Sequence, residues 1–470
     1  MKTILISIYH RENIFPAPYS IASLRLGTFI NDIHGNEVKI FPIHLNEETK
    51  KAVEKIVKES PDILGISAYM WTSSKAKEIA KAVSKLSKKT MIVIGGPETM
   101  SLDRQEWPKE CVFVVGEGEK ILRELCLLKL KNPNISTDDE EIKKINNPSE
   151  KCHFPSFDYS HPLFSNYTLS LLENQTYPSK FSWYESARGC PFNCGYCGHK
   201  TRPNVAEFDL ETVTEEIVNM KNLGIEEIYI IDPIVGGTKE RGKSILRLFN
   251  KIAPEIKITA FHRPEYIDEE YISILKDTNL RELQIGIQTI NPNVPKWVRS
   301  NSISQIQEYL PKLTPNKIPW QIDLIIGLPG DDIEGLRKSM AFVVDTLNPR
   351  IVRAYRLTVI KNTAIYSVLD KTKNEYWVKM NETNRVTESN SFTAEELKSV
   401  LIEGTAITTL YNYFSENNWF GKEKKYRNYE NLSKIAEKNL NEMSQSDKDL
   451  FLNQKESECR KVWSRMELIV

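Results

Sequence analysis

Three cysteines fall within one short run, Ala187-Arg188-Gly189-Cys190-Pro191-Phe192-Asn193-Cys194-Gly195-Tyr196-Cys197, in the spacing C-x3-C-x2-C. Three thiolates on one loop can ligate three irons of a four-iron, four-sulfur cluster. The fourth iron then has no protein ligand and is open to chemistry. A structural zinc ion on Cys190, Cys194, Cys197 and His199 is the competing reading, because three cysteines and a histidine form a legitimate zinc set. Structural zinc sites usually pair two half-sites around a small module. Here all four candidates lie within ten residues and a long α/β pattern follows, so the cluster is the stronger expectation.

Such a loop needs a scaffold, and the sequence around it reads as one. Short apolar runs at 183–187, 227–231, 257–261, 282–287, 320–326 and 351–357 alternate with helical patterns. Six βα units make a partial (βα)6 barrel over residues 181–370. Sites in βα barrels lie at the carboxyl ends of the strands, and the cysteine run follows the first strand. Polar groups recur at the later strand ends: Asp232 and Gly236, then His262 and Arg263, then Gln288, then Gly330-Asp331-Asp332. Asp323 and Gln321 sit inside the fifth strand, with Arg353, Tyr355 and Arg356 near the sixth.

Residues 1–130 show a similar alternation, with strands at 3–8, 37–42, 63–67, 91–94 and 112–115 and helices near 20–31, 48–58 and 73–86. This is the pattern of a parallel, Rossmann-like sheet covered on both faces. Ligands of such sheets bind outside the carboxyl ends, beside the switch point. The segments there are Ser67-Ala68-Tyr69-Met70-Trp71-Thr72, Gly95-Gly96-Pro97-Glu98 and Gly116-Glu117-Gly118-Glu119. The last is not the dinucleotide fingerprint, because position 121 is Ile. Residues 131–180 turn polar around Asp138-Asp139-Glu140-Glu141 and read as a linker. Residues 371–470 lose strands and become helical and aromatic, a cap over the barrel.

The cysteine spacing, with the aromatic Tyr196 before the third cysteine, resembles the radical S-adenosylmethionine (SAM) enzymes. The glycine-bearing strand ends of residues 1–130, with Phe15-Pro16-Ala17-Pro18-Tyr19-Ser20, resemble the cobalamin-binding domain that precedes the core in one large subfamily of them. The resemblance implies that Cys190, Cys194 and Cys197 hold the cluster and that its open iron chelates SAM. It further implies SAM contacts from Tyr196, Asp232 and Gly236, with Asp232 meeting the amino group, Arg263 the carboxylate and Gln288 the ribose. Cobalamin contacts would come from Ser67, Tyr69, Trp71, Thr72, Gly95, Gly96, Gly116 and Glu117. Many cobalamin domains carry D-x-H-x-x-G; the nearest string, Asn31-Asp32-Ile33-His34-Gly35, has the wrong spacing, so His34 is expected in a surface turn and no histidine beneath cobalt. The implied activity is transfer of a methyl group from methylcobalamin to an unactivated carbon, started by a 5'-deoxyadenosyl radical. A cyclisation, ring contraction or rearrangement is the alternative outcome. A non-enzymatic metal-binding or electron-transfer protein is the alternative class.

Sixty-three basic and sixty-three acidic residues cancel, so no whole-chain field draws nucleic acid or an anionic membrane. No apolar run approaches membrane-spanning length, and the opening Met1-Lys2-Thr3-Ile4-Leu5-Ile6 reads as a buried strand rather than a signal peptide. Cys111, Cys126, Cys152 and Cys459 are scattered and read as ordinary thiols of a reducing, cytoplasmic compartment. The expected partners are a small-molecule or peptide substrate and an electron donor such as flavodoxin or ferredoxin.

Overall fold

In the computed structural model of the chain, residues 1–9, 20–101, 103–137, 139–145, 180–199, 205–369, 375–422 and 426–465 are described. Most of the expected linker, Asp138 within it and Phe15–Tyr19 of the opening segment lie outside them. The chain divides into two compact units, Met1–Tyr184 with Phe208–Ile228, and Glu185–Glu207 with Tyr229–Val470.

Five parallel strands form the first sheet: β1 (Lys2–Tyr9), β2 (Glu37–His44), β3 (Ile63–Ser67), β4 (Met91–Gly95) and β5 (Cys111–Phe113), in the order β2-β1-β3-β4-β5. The strand cores are uninterrupted apolar runs because both faces are covered. Ile4, Ile6, Leu64, Ile66, Ile92 and Ile94 pack into one layer, and Leu5, Ile63, Met91, Val93 and Val112 into the other. The order reverses between β1 and β3, which makes their carboxyl ends the switch point. Ser20 starts the helix Ile21–Asn31 by accepting from the Ser23 N–H, and its own N–H donates to Ser7 Oγ of β1 at 2.8 Å. In the same unit Arg25 of that helix lies 3.9 Å from Glu216 and over the ring of Phe208, with both charged groups buried. The helix Leu210–Asn222 therefore belongs to the first unit, although the sequence pattern assigns it to the barrel.

The second sheet contains β6 (Phe181–Tyr184), β9 (Glu227–Ile230), β10 (Lys257–His262), β11 (Leu280–Gln288), β12 (Trp320–Ile326) and β13 (Ile351–Arg356), in sequential order. A small antiparallel ribbon, β7 (Ala187–Arg188) with β8 (Ala206–Glu207), carries the chain into and out of the cysteine loop. Sequential parallel order with helical crossovers is the topology of an open βα barrel. The helices begin where polar side chains cap them: Asp268 accepts from Tyr271 N–H, and Asp332 from Gly335 N–H.

The outer edge of β13 is closed by side chains. Asn412 accepts from the Val352 N–H and donates to the Val352 carbonyl, both at 2.8 Å. Gln454 accepts from the Arg356 N–H at 2.7 Å and donates to the Ala354 carbonyl at 2.6 Å. Two amides thus satisfy the row of backbone groups that a further strand would otherwise pair. Asn412 lies on the long helix Ala394–Glu416, which starts with a capping box between Thr393 and Glu396. The C-terminal region is not purely helical as expected. A hairpin, β14 (Val378–Met380) with β15 (Val386–Ser389), precedes that helix, its turn tied by Asn381 Oδ1 to the Thr383 and Arg385 N–H groups.

Candidate cluster loop and cobalamin-facing strand ends

The cysteine loop leaves β7 through Gly189, whose φ of +86° favours glycine. Gly195 lies so close to Trp297 that a Cβ would come within 2.7 Å of the Trp297 carbonyl oxygen. Its N–H donates to the Val298 carbonyl at 3.0 Å, and its own carbonyl accepts from Ile365 N–H at 2.9 Å. The loop is thereby pinned between two segments remote in sequence.

Among the described residues no three His, Cys, Asp or Glu side chains converge on one point as a single ion requires. A single zinc ion would need its ligand atoms within about 2.3 Å of the metal. A four-iron cluster spreads its ligands over separate irons. Burial pushes the Cys190 thiol up and the Cys197 thiol up to about 11; backbone N–H groups of Phe192 and His199 work in the other direction by favouring the thiolates.

Two guanidiniums reach Cys194. Arg263 Nη1 donates to its Sγ at 3.1 Å, and Arg299 Nη1 donates to the same sulfur at 3.4 Å and to Tyr196 Oη at 3.2 Å. Arg263 also stacks over Phe192, 3.9 Å from the ring centroid. N–H groups aimed at a ligand sulfur suit a thiolate that carries negative charge, so the donor set fits an iron–sulfur cluster. Arg299 is a residue that the sequence reading missed. It lies eleven positions beyond Gln288, the last residue of β11, and no strand-end pattern points to it.

The other expected SAM contacts divide. Arg263 meets Glu265, at 2.8 and 3.1 Å, and the Ser300 carbonyl at 2.7 Å. Asp232 stands after β9. It is buried and accepts from Ser186 N–H, Ser186 Oγ, Ala187 N–H and Gly236 N–H, which ties the strand leading to the cysteine loop to the turn after β9. Gly236 completes that turn with a φ of +67°, and a Cβ there would lie 2.7 Å from the backbone nitrogen of Gly242. His262 is a packing residue. Both ring nitrogens are buried without a hydrogen-bond partner, the ring rests against Tyr266 and Tyr271, and burial lowers its pKa to about 3.

Gln288 stands at the next strand end. It ends β11 with a φ of +66°, rare for a side-chain-bearing residue, and its buried Oε1 has no hydrogen-bond partner. Asp323 lies beside Gly286 on β11 and Arg353 on β13, half-buried, with Gln321 Nε2 donating to it at 2.6 Å. Burial raises its pKa to about 6. Asp331 caps nothing. It is Asp332 that caps the next helix, while Asp331 accepts from Asn291 Nδ2 at 2.9 Å.

At the carboxyl ends of the first sheet the groups are of another kind. Ser67 and Gly95 pair as the last residues of β3 and β4. Gly96 has a φ of +97°, and a Cβ there would lie 2.6 Å from the Ala68 carbonyl oxygen, so the two loops pack backbone to backbone. Gly116, exposed with a φ of +92°, and half-buried Glu117 follow β5. Tyr69 and Trp71 stack at 5.1 Å with 20° between their planes, and Trp71 is 61% exposed. Thr72 is buried, and its Oγ1 accepts from Tyr69 N–H at 3.1 Å, which braces the loop. His34 is exposed in a turn.

A family model described as the radical SAM superfamily matches residues 184–343, and one described as the B12 binding domain matches residues 21–126. An uncharacterized methyltransferase of Pyrococcus horikoshii is 25% identical over 393 residues, covering 80% of this chain and 84% of the relative. The cobalamin-dependent radical SAM methyltransferase TokK of Streptomyces tokunonensis is 22% identical, over 69% of this chain and 50% of its own length. The match thus spans about half of TokK. TsrM from Kitasatospora setae, solved with cobalamin and a 4Fe–4S cluster, shares the fold with a TM-score of 0.62 at 14% identity, over 93% of this chain and 99% of that one. The cobalamin-dependent radical enzyme OxsB, solved with aqua-cobalamin and SAM, shares it with a TM-score of 0.65 at 15% identity, over 98% and 71%. Among the described residues no helix is long and apolar enough to cross a membrane.

Proposed function

The chain belongs to the radical SAM enzymes that carry a B12-binding domain, and from that premise we propose that it methylates an unactivated carbon of a small organic molecule. The observation that carries the reading is the coexistence, in one chain, of a three-cysteine loop braced by guanidiniums with a 2-1-3-4-5 sheet whose strand ends are glycine turns. When bound, the cluster supplies the electron that cleaves SAM to a 5'-deoxyadenosyl radical, and cobalamin carries the methyl group.

Cys190, Cys194 and Cys197 hold the cluster. Arg263 and Arg299 bring positive charge to the cluster loop through Cys194, with Arg263 offset by Glu265. Gln288, through its unpartnered oxygen, and Asp323 are acceptors for the ribose hydroxyls. Asp232 acts one step back, orienting the start of the cysteine loop. In the first unit Gly95, Gly96 and Gly116 let backbone lie against the corrin, and the Tyr69–Trp71 pair offers it a flat apolar wall. Solved TsrM binds tryptophan, which supports a small-molecule substrate here. A low-potential donor such as flavodoxin or ferredoxin, in a reducing cytoplasm, completes the proposal.

The test is anaerobic reconstitution followed by SAM labelled in its methyl group. Labelled methylcobalamin and unlabelled 5'-deoxyadenosine are expected from one preparation. Absence of both from protein loaded with cluster and cobalamin overturns the reading.

A further inference from the structure

We propose that Arg263, Arg299 and Glu265 form an electrostatic clamp that sets the reduction potential of the cluster through Cys194. The proposal rests on the reading that Cys190, Cys194 and Cys197 carry a four-iron cluster.

The three sulfurs are treated unequally. Cys190 and Cys197 receive backbone N–H groups, but Cys194 receives the Nη1 of both Arg263 and Arg299, at 3.1 and 3.4 Å. The two cations also differ from each other. Arg263 is held bidentately by Glu265, which offsets its charge locally. Arg299 is 7% exposed, and its remaining partners are Asn301 Oδ1 at 2.8 Å, Tyr196 Oη at 3.2 Å and the Gly286 carbonyl, all neutral. Among the described residues it makes no ion pair with a carboxylate. A buried cation needs balancing charge; Glu265 acts on Arg299 without pairing with it, and the sulfur that Arg299 touches is that of Cys194, so the thiolate ligands and the cluster behind them supply the rest.

This arrangement has a direct redox consequence. Reduction of the 2+ cluster to the 1+ state takes one electron from a low-potential donor, makes or breaks no bond, and adds one negative charge. A fixed positive charge hydrogen-bonded to a ligand sulfur favours the reduced state, and a fixed negative charge disfavours it, the more so where water is excluded. Arg299 therefore raises the potential, and Glu265 lowers it by offsetting Arg263. All three are positioning residues, since they act through Cys194.

The experiment is an EPR-monitored dithionite titration of the full chain, reconstituted with iron and sulfide and kept free of SAM. Arg299→Met is expected to move the potential to more negative values, Arg299→Lys to fall between it and wild type, and Glu265→Gln to move it to more positive values. Opposite signs from two substitutions that touch no iron are a signature that loosened packing does not produce. Potentials that coincide in variants of equal iron content overturn the clamp, as does a shift of the same sign in Glu265→Gln and Arg299→Lys, the pair that decides if Arg299→Met fails to assemble. A wild-type chain that holds no four-iron cluster instead overturns the reading beneath it, and the clamp with it.

Discussion

The cysteine loop and the strand ends of the first sheet are built on opposite principles. Around the loop, position is set by long side chains arriving from far along the sequence: Asp232 on the Ser186–Ala187 backbone, Trp297 against Gly195, and Arg263 and Arg299 on Cys194. At the strand ends, position is set by backbone against backbone, with Gly96 on Ala68 and the Thr72 N–H on the Tyr69 carbonyl. The difference follows from what each must hold. Three sulfurs need fixed directions and a compensating charge, which only side chains supply. A flat macrocycle needs a surface from which side chains have been removed.

The largest expected break in this contrast is Cys194→Ala. It removes one of three ligands and with it the anchor of both arginines, so the cluster absorbance should disappear entirely while cobalamin loading persists. Retention of a full four-iron content would show that the loop does not work through this sulfur. Next comes Gly96→Val. A β-branched residue at a φ of +97° costs upwards of about 1–2 kcal/mol in backbone strain, before the clash with the Ala68 carbonyl is counted. Calorimetry should show a lower melting temperature and spectroscopy an empty corrin site, with iron content unchanged. An unaltered melting temperature would mean that this close approach is not what defines the strand ends.

The contrast also explains what the sequence could reveal. Strand ends fixed by backbone leave their signature locally, as an apolar run followed by glycine, and the expected strands at 63–67 and 91–94 match β3 and β4 almost to the residue. The cysteine spacing is likewise local. Side-chain bracing is not: nothing in the run Pro295-Lys296-Trp297-Val298-Arg299 indicates that this loop folds over the cysteines. Asn412 and Gln454, which stand in for a strand along β13, are ordinary helix-region amides in the sequence. Arg263 and Asp232 stand at the expected strand ends, but their bonds to Glu265 and Ser186 are not legible in the sequence, because periodicity locates a side chain without saying which neighbour reaches it first. The hairpin Val378–Ser389 was missed because its strands are only three and four residues long.

A third, smaller effect concerns pH. His262 supports the strand that delivers Arg263, and burial holds its ring neutral, with a pKa of about 3 against an ordinary 6.5. Below pH 6.5 the unfolded chain takes up a proton that the folded chain refuses. Its contribution is therefore present above that pH and lost as the pH falls. Between pH 7.5 and 5.5 the loss is about 1 kcal/mol, set by the unfolded value. Urea midpoints of His262→Phe should fall less over this interval than those of wild type. Parallel slopes would mean that the folded ring protonates and that the side-chain-braced half carries no buried neutral histidine.

The smallest structural effect is the most discriminating. Gly95, unlike Gly96, has no positive φ, and a Cβ built on it meets no atom within 4 Å. Gly95→Ala should leave the stability of the cofactor-free chain unchanged, or slightly raised, because alanine restricts the unfolded state more than glycine does. If glycine is present there only to keep the strand end bare, the added methyl group is felt by the corrin and by nothing else. Equilibrium titration with hydroxocobalamin should then show weaker binding at an unchanged melting temperature. Unchanged affinity would place the corrin away from β4 and confine the bare surface to Gly96 and Gly116. A lowered melting temperature would instead make Gly95 a packing glycine, and the strand ends would then differ from the cysteine loop in degree rather than in kind.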